Sequence, residues 1–276
     1  MGNVTTKRKL VAGKRFATRI LPFFAPLFFA TLTAPSKTVE ARSNVASHFN
    51  LDAEVKLNAL KKSNFQMNLL EIYEQAGLEK KGMTFEVFDR AMIGYLNLKN
   101  AGLLSDKQLL SVVDFDLPST KKRFWLIDLE KRKVLENTFV SHGKNSGGNM
   151  ATQFSNTDDS NMSSLGFYVT GETYYGRHGL SLKLDGMDAA HNSNARLRDI
   201  VMHGAEYVSK DFINQQGRLG RSEGCPALPM GLHQEVIEQV QDRTVLFIHA
   251  SVQPLQSRFL NQETAMEAFY KNDNLI

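Results

Sequence analysis

Apolar residues recur at two different periods along this chain, and the change falls near residue 114. From Leu51 to Val113 the spacing is helical. Leu69, Ile72, Tyr73 and Ala76 share one face and end at Gly77, while Phe85, Phe88, Met92, Tyr95 and Leu96 share another. Ser105-Asp106-Lys107-Gln108 has the form of a capping box and predicts a short third helix. Apolar stripes of this kind are core-facing sides rather than ligand boxes, so residues 51–113 are expected to form a small helical subdomain.

Beyond Asp116-Leu117-Pro118 the pattern becomes strand-like. Arg123 to Leu129 reads as a strand, Glu130-Lys131-Arg132 as a turn, and Lys133 to Val140 as its hairpin mate. Ser141 to Ser164 is polar and rich in Asn, Ser and Gly. A loop of that length inside a compact domain is usually functional or disordered, which places it as a candidate border of a substrate cleft. Strand-like runs return at Gly166–Gly171, Asp199–His203 and Thr244–His249. Leu232, Val236, Ile237 and Val240 mark one helix, and residues 255–276 suggest a last amphipathic helix with a frayed tail. The periodicities alone give an α+β fold.

Charge changes the picture at the N-terminus. Residues 1–34 hold six Lys or Arg (Lys7, Arg8, Lys9, Lys14, Arg15, Arg19) and no acidic side chain. Without them the chain has 27 basic and 29 acidic residues, so the body offers no basic footprint for nucleic acid. The basic stretch runs into an apolar segment, Ile20 to Leu32, that contains two prolines and is shorter than the roughly 20 residues of a bilayer span. This is the form of an export signal, with cleavage expected after Ala34 or Ala41, and an uncleaved anchor is the alternative. Residues 35–50 are polar and are expected to be an irregular linker. The expected divisions are a signal at 1–34, a linker at 35–50, a helical subdomain at 51–113, a mostly-β domain at 114–254 and a C-terminal helix and tail at 255–276. Localisation is then the periplasm or cell envelope.

Export sharpens the chemistry. Cys225 is the only cysteine, and in an oxidising compartment a solitary thiol is either deeply buried or retained for its reactivity. It stands in Ser222-Glu223-Gly224-Cys225-Pro226, between a glycine and a proline that do not suit a regular strand. About twenty residues earlier, Ile200-Val201-Met202 leads to His203-Gly204, which would put an imidazole at a strand terminus. A free thiol is only a few per cent thiolate at neutral pH, so a nucleophilic Cys225 needs a base such as His203. The glycine at 224 would let substrate approach the sulfur, and N–H groups around Gly224-Cys225 would face a developing oxyanion.

His-Gly followed after a loop by Ser-x-Gly-Cys resembles the signature of YkuD-type L,D-transpeptidases. The wider text is similar to the murein L,D-transpeptidase catalytic domain family, notably Asp114 to Ser119, Gly171 to Gly176, Gly179 to Leu182 and Gly220 to Pro226. The resemblance covers roughly residues 50–250. It implies a mostly-β, β-sandwich-like catalytic domain beside the helical subdomain, with Cys225 and His203 on adjacent strands or their loops. It also implies the reaction. Cys225 attacks the carbonyl of the third residue of a peptidoglycan stem tetrapeptide, D-alanine leaves, and an amine from another stem or a wall-attached protein resolves the thioacyl-enzyme. His203 is base and then acid, steered by the carbonyl of Gly204, and Ser222 matches the family's serine. No cofactor or metal is implied.

Two departures bear on specificity: Glu223 stands where many members have His, and Pro226-Ala227 where many have x-Arg or x-Asn. Arg221 and Arg218 are candidates for a carboxylate clamp, and Tyr174 and Tyr175 for a lid. His142, His178, His191, His233 and His249 lack metal-ligand spacing. Two other functions fit the same residues. Water could resolve the thioacyl-enzyme, making an L,D-carboxypeptidase or cross-link hydrolase, or the domain could bind wall without turnover.

Overall fold

The computed structural model describes residues 37–271, and of residues 37–52 only the backbone. The expected signal at 1–34 and the last five residues of the expected tail lie outside the described residues. Helix α1 runs Lys37–Gln75, so most of the expected linker is helical. The reason is local: Pro35 is the last proline before residue 118, and Glu40, Ala41, Arg42 and Ala46 favour helix. The chain divides into two compact units after Leu51, and the sheet with the helices packed on it belongs to the unit that begins at Asp52.

Helix α2, Phe85–Asn100, starts where the Thr84 side chain accepts the Val87 N–H at 3.4 Å. The expected third helix is absent. Residues 109–114 instead form strand β1, Leu109–Asp114, because the run Leu-Leu-Ser-Val-Val has apolar side chains for both faces of a buried strand. The capping-box residues are irregular, and the Ser105 N–H donates to the Arg243 carbonyl at 2.9 Å. The hairpin appears as β2, Phe124–Asp128, and β3, Lys133–Thr138. Then come β4, Gly166–Gly176; β5, Gly179–Gly186; β6, Val201–Ala205; α3, Lys210–Gln216; β7, Ala227–Pro229; α4, His233–Val240; β8, Val245–His249; and α5, Gln262–Lys271.

The strands form one mixed sheet in the order β3-β2-β1-β8-β4-β5-β6-β7. They are therefore not split into the two sheets of a sandwich. The chain leaving β3 reaches the opposite end of the sheet: the Ser141 N–H donates to the Ala227 carbonyl at 2.9 Å, and Gly143 bridges Ser222. Those contacts bring the two edges together and give the sheet a nearly closed, barrel-like form.

Both faces of its central strands are buried, which explains their continuous apolar text. Along β8, Val245 and Phe247 join one cluster with α1, α2 and α5, while Leu246 and Ile248 join a second with Val236, Ile237 and Val240 of α4. The helical segment therefore packs directly on the sheet. Trp125 reaches across to it, donating its indole N–H to the Lys81 carbonyl at 3.1 Å. Asn97 of α2 donates to the carbonyls of Phe259 and Asn261, tying the C-terminal segment to the same layer.

The tightest point in that layer is Gly94 of α2. A Cβ there would fall inside the ring of Phe167, which is fully buried and stacked on Phe247 at 4.4 Å. In an open helix, Gly→Ala stabilises by about 1 kcal/mol. Here overpacking of roughly 1–3 kcal/mol should dominate. Gly94→Ala is expected to lower the Tm by about 2–8 °C in a thermal melt, and a raised Tm would mean that α2 does not rest on Phe167.

Candidate active site

Strand alternation decides which side chains can meet on β6. Met202 faces the second core, so Val201 and His203 face the other side of the sheet, as do Ser181 and Tyr174, which pair with each other across β4 and β5. On this face lies a cleft of about 900 Å³, lined by Cys225, His203, His178, Tyr174 and Tyr207 among others. Strand β7 runs parallel to β6 with Ala227 beside His203, so Cys225, two residues earlier, arrives beside Val201. The Val201 N–H donates to its sulfur at 3.4 Å, and the thiol donates to the Asp199 carbonyl at 3.5 Å. Asp199 has φ 50°, a left-handed turn that aims this carbonyl at the sulfur.

Cys225, in the loop that enters β7, and His203, on β6, thus line one cleft. The two hydrogen bonds of the sulfur are both to backbone, and neither ring nitrogen of His203 is among its partners. Burial pushes the Cys225 thiol up, against the lowering effect of the Val201 N–H. His203 is 2% exposed, and its Nδ1 lies 2.9 Å from the Gly204 carbonyl. That carbonyl accepts only a proton on Nδ1, which leaves Nε2 with its lone pair. Burial drives the His203 imidazole down to about 4, with His178, Arg177 and His233 adding to the effect. Both shifts favour the uncharged form of the pair.

The loop before Cys225 departs from expectation in two respects. Gly224 has φ 126°, which other residues rarely adopt. The space left by its missing Cβ faces Ile200 and the Met162 carbonyl, each 2.8 Å from where a Cβ would stand, so protein fills it rather than substrate. The Gly224 N–H is also taken, donating to the Ser222 hydroxyl at 3.1 Å, and that hydroxyl donates to the Cys225 carbonyl at 2.7 Å. Ser222 therefore braces the loop, its proton already committed to the Cys225 carbonyl. The Cys225 N–H has no partner among the described residues, which makes it the available donor beside the sulfur.

Arg221 lines the cleft, but its Nη1 donates to the carbonyls of Lys144 and Gly147 at 3.0 and 2.9 Å. Arg218 bonds its neighbour's carbonyl, that of Leu219, and does not line the cleft. Tyr174 lines it, with Lys183 over its ring at 5.7 Å, whereas Tyr175 points away and is 80% exposed. The polar 141–164 loop, expected to border the cleft, does not line it. It braces the Cys225 loop instead: the Ser163 hydroxyl donates to the Gly224 carbonyl at 3.1 Å, and Arg198 in turn holds the polar loop through the carbonyls of Ser155 and Met162.

Sequence reasoning missed Arg177 and His178. They form the tip of the β4–β5 hairpin, and the His178 ring stacks on His203 with centroids 4.2 Å apart. Their only textual signal was the pair of glycines at 176 and 179 that bracket a tight turn. Four cationic side chains (Arg177, Lys183, Arg198, Arg221) and two anionic ones (Asp199, Glu223) line the cleft, an excess that favours a carboxylate-bearing ligand. Away from it, potential metal-ligating atoms of Asp114, Asp116 and His249 lie within 4.8 Å of one another. Strand pairing of β1 with β8 creates that cluster, which no local spacing could reveal, and within it His249 Nε2 lies 3.3 Å from an Asp116 oxygen.

A family model described as the L,D-transpeptidase catalytic domain matches residues 79–249. No curated protein matches the chain. Among solved structures it is similar to an L,D-transpeptidase from Mycobacterium smegmatis, at 13% identity and a TM-score of 0.33, over 52% of this chain and 59% of that one. It is similar also to the LD transpeptidase LdtMt1 in complex with imipenem, at 14% and 0.32, over 51% and 59%. A third is the helical cell shape determining protein Pgp2 (K307A mutant) from Campylobacter jejuni, at 14% and 0.35, over 65% and 62%. The chain spans less than two thirds of each of these structures. The family match takes in more than half of the chain, with β6 and the loop that carries Cys225 inside it, and the chain belongs to the L,D-transpeptidase catalytic domain family.

Proposed function

We propose that this protein is an exported cysteine L,D-transpeptidase that acts on peptidoglycan stem peptides in the periplasm or cell envelope. The observation that carries the reading is the meeting of three groups in one cleft. They are the half-buried Cys225 thiol, a neutral His203 with its Nε2 lone pair available, and an unpaired Cys225 N–H. No helix among the described residues is long and apolar enough to cross a membrane. The basic and apolar leader is what supports export.

In this reading the donor stem lies in the cleft with its carboxylates toward the excess of cationic side chains. The sulfur of Cys225 attacks the carbonyl carbon of the third residue as its proton passes to His203 Nε2. The Cys225 N–H receives the oxyanion. The C–N bond to the terminal D-alanine breaks, and the imidazolium returns the proton to the departing amine. An amine of a second stem, or of a wall-attached protein, then attacks the thioester and loses its proton to His203, and the thiol is regenerated. Gly204 acts through its carbonyl, which stabilises the imidazolium and fixes the ring. Tyr174 and Arg221 border the donor, Tyr174 as an apolar wall and Arg221 by holding the loop behind Cys225. No step needs a cofactor or metal.

Incubation with purified disaccharide tetrapeptide and analysis of products by mass spectrometry tests the assignment. Newly linked dimers are expected with the wild-type chain. Cys225→Ser should fold normally by circular dichroism yet form none, and His203→Ala should reduce the rate by about 10²-fold or more. Shortened monomers without dimers would convert the reading to a carboxypeptidase, and no change in the substrate would leave a wall-binding module.

The neutral resting pair makes a second prediction. Burial raises the thiol, so alkylation of Cys225 by iodoacetamide should climb with an apparent pKa above the 9.0 of an ordinary thiol. A plateau of fast labelling at pH 6–7 would instead mean a preformed thiolate–imidazolium pair.

A further inference from the structure

The tip of the β4–β5 hairpin sits against the imidazole that the proposed reaction uses, and it does so through a ring rather than an aliphatic side chain. His178 and His203 stack with centroids 4.2 Å apart and planes 21° from parallel. His178 is itself held: Arg177 donates its Nε–H to His178 Nε2 at 2.9 Å. The Arg177 guanidinium in turn meets Glu223 at 3.3 Å, and the other oxygen of Glu223 meets Lys144 at 3.2 Å. The chain of contacts that fixes His178 therefore ends two residues from the nucleophile.

We infer that His178 is a positioning residue that covers one face of His203 and, with Arg177, holds it in the neutral form until substrate arrives. The inference rests on the reading of His203 as the base. Charged and titratable groups approach that ring from several elements. Gly204 fixes Nδ1, and His233 of α4 packs against Gly204, 2.5 Å from where a Cβ would stand. The cleft side carries Cys225, Tyr207, the carboxylates of Asp199 and Glu223 and the cations Lys183, Arg198 and Arg221, and the hairpin tip lays His178 on the ring with Arg177 beside it. Of these neighbours, Glu223 would favour an imidazolium, but Arg177 and Lys144 already engage both its oxygens. The Arg177 charge opposes it, and the stacked ring of His178, whose Nε2 accepts from Arg177, keeps water from solvating it.

This arrangement has two chemical consequences. The thiol has no charged partner in the resting enzyme, so it stays protonated and slow to oxidise. Once substrate is attacked, the imidazolium that forms is a strong acid, well suited to protonating the departing amine.

The test titrates the His203 ring by NMR and measures iodoacetamide labelling of Cys225 at pH 7, neither of which needs turnover. His178→Ala should raise the His203 midpoint by at least about one unit, a tenfold change in its proton affinity, and should accelerate labelling several-fold. His178→Phe keeps a ring over the imidazole and should keep the low midpoint. An unchanged midpoint in a folded His178→Ala chain overturns the inference. If that variant does not fold, Arg177→Gln carries the test: a raised midpoint supports the inference and an unchanged one overturns it. Because the wild-type assay with stem peptides is separate, failure here leaves the proposed reaction standing, and failure there leaves the coupling of the two histidines measurable.

Discussion

The parallel pairing of β6 with β7 is the constraint on which the site depends. It places Ala227 beside His203, and so carries Cys225 to the amide of Val201, two residues from the imidazole on the same face of β6. Neither residue could be moved alone. The loop before the cysteine is pinned by the Ser222 hydroxyl, by the left-handed backbone of Gly224 and by Ser163 from the polar loop behind it. The same region closes the sheet, since the chain leaving β3 hydrogen-bonds to residues 222–227. Closure of the sheet and presentation of the thiol are therefore one set of contacts.

Burial sets the electrostatics of the pair in opposite directions. It raises the thiol and lowers the imidazole, so transfer of the proton between them is uphill before substrate binds. For a solitary cysteine this is a useful arrangement, because the thiol is the form that resists oxidation. In the proposed reaction, what a substrate carbonyl changes is the fate of the sulfur's electron pair: it enters a new bond, and the proton can leave as that bond forms.

Much of this was legible in the text of the chain. The lone Cys225, the glycine before it and His203-Gly204 at the end of an apolar run pointed to two of the residues that line the cleft, and Ser-x-Gly-Cys to the family. The buried strands β2 and β8 were readable because a run such as Phe-Trp-Leu-Ile has no polar face to show. Strand β1 was read partly as helix, since four residues of capping-box form precede it and local signals do not reveal that β2 and β8 wait on either side. Residues 37–50 looked irregular because that stretch of sequence, unlike 65–76, carries no continuous apolar stripe, not because it lacks helix formers. Arg177 and His178 were invisible for a different reason. Their importance comes from where a hairpin tip lands in space, which neither period nor spacing encodes. The same holds for the sense in which glycine is needed at 224, where neighbouring protein, not substrate, occupies the space.

The most direct test of the account is intact-mass spectrometry of the protein mixed with a stem tetrapeptide ending in D-alanine and quenched in acid. The account predicts a covalent adduct equal in mass to the tetrapeptide less one molecule of free D-alanine, mapped to Cys225 by peptide digestion and released by hydroxylamine as a thioester should be. An adduct on any other residue, or release of D-alanine by a chain in which Cys225 is replaced by alanine, would contradict it.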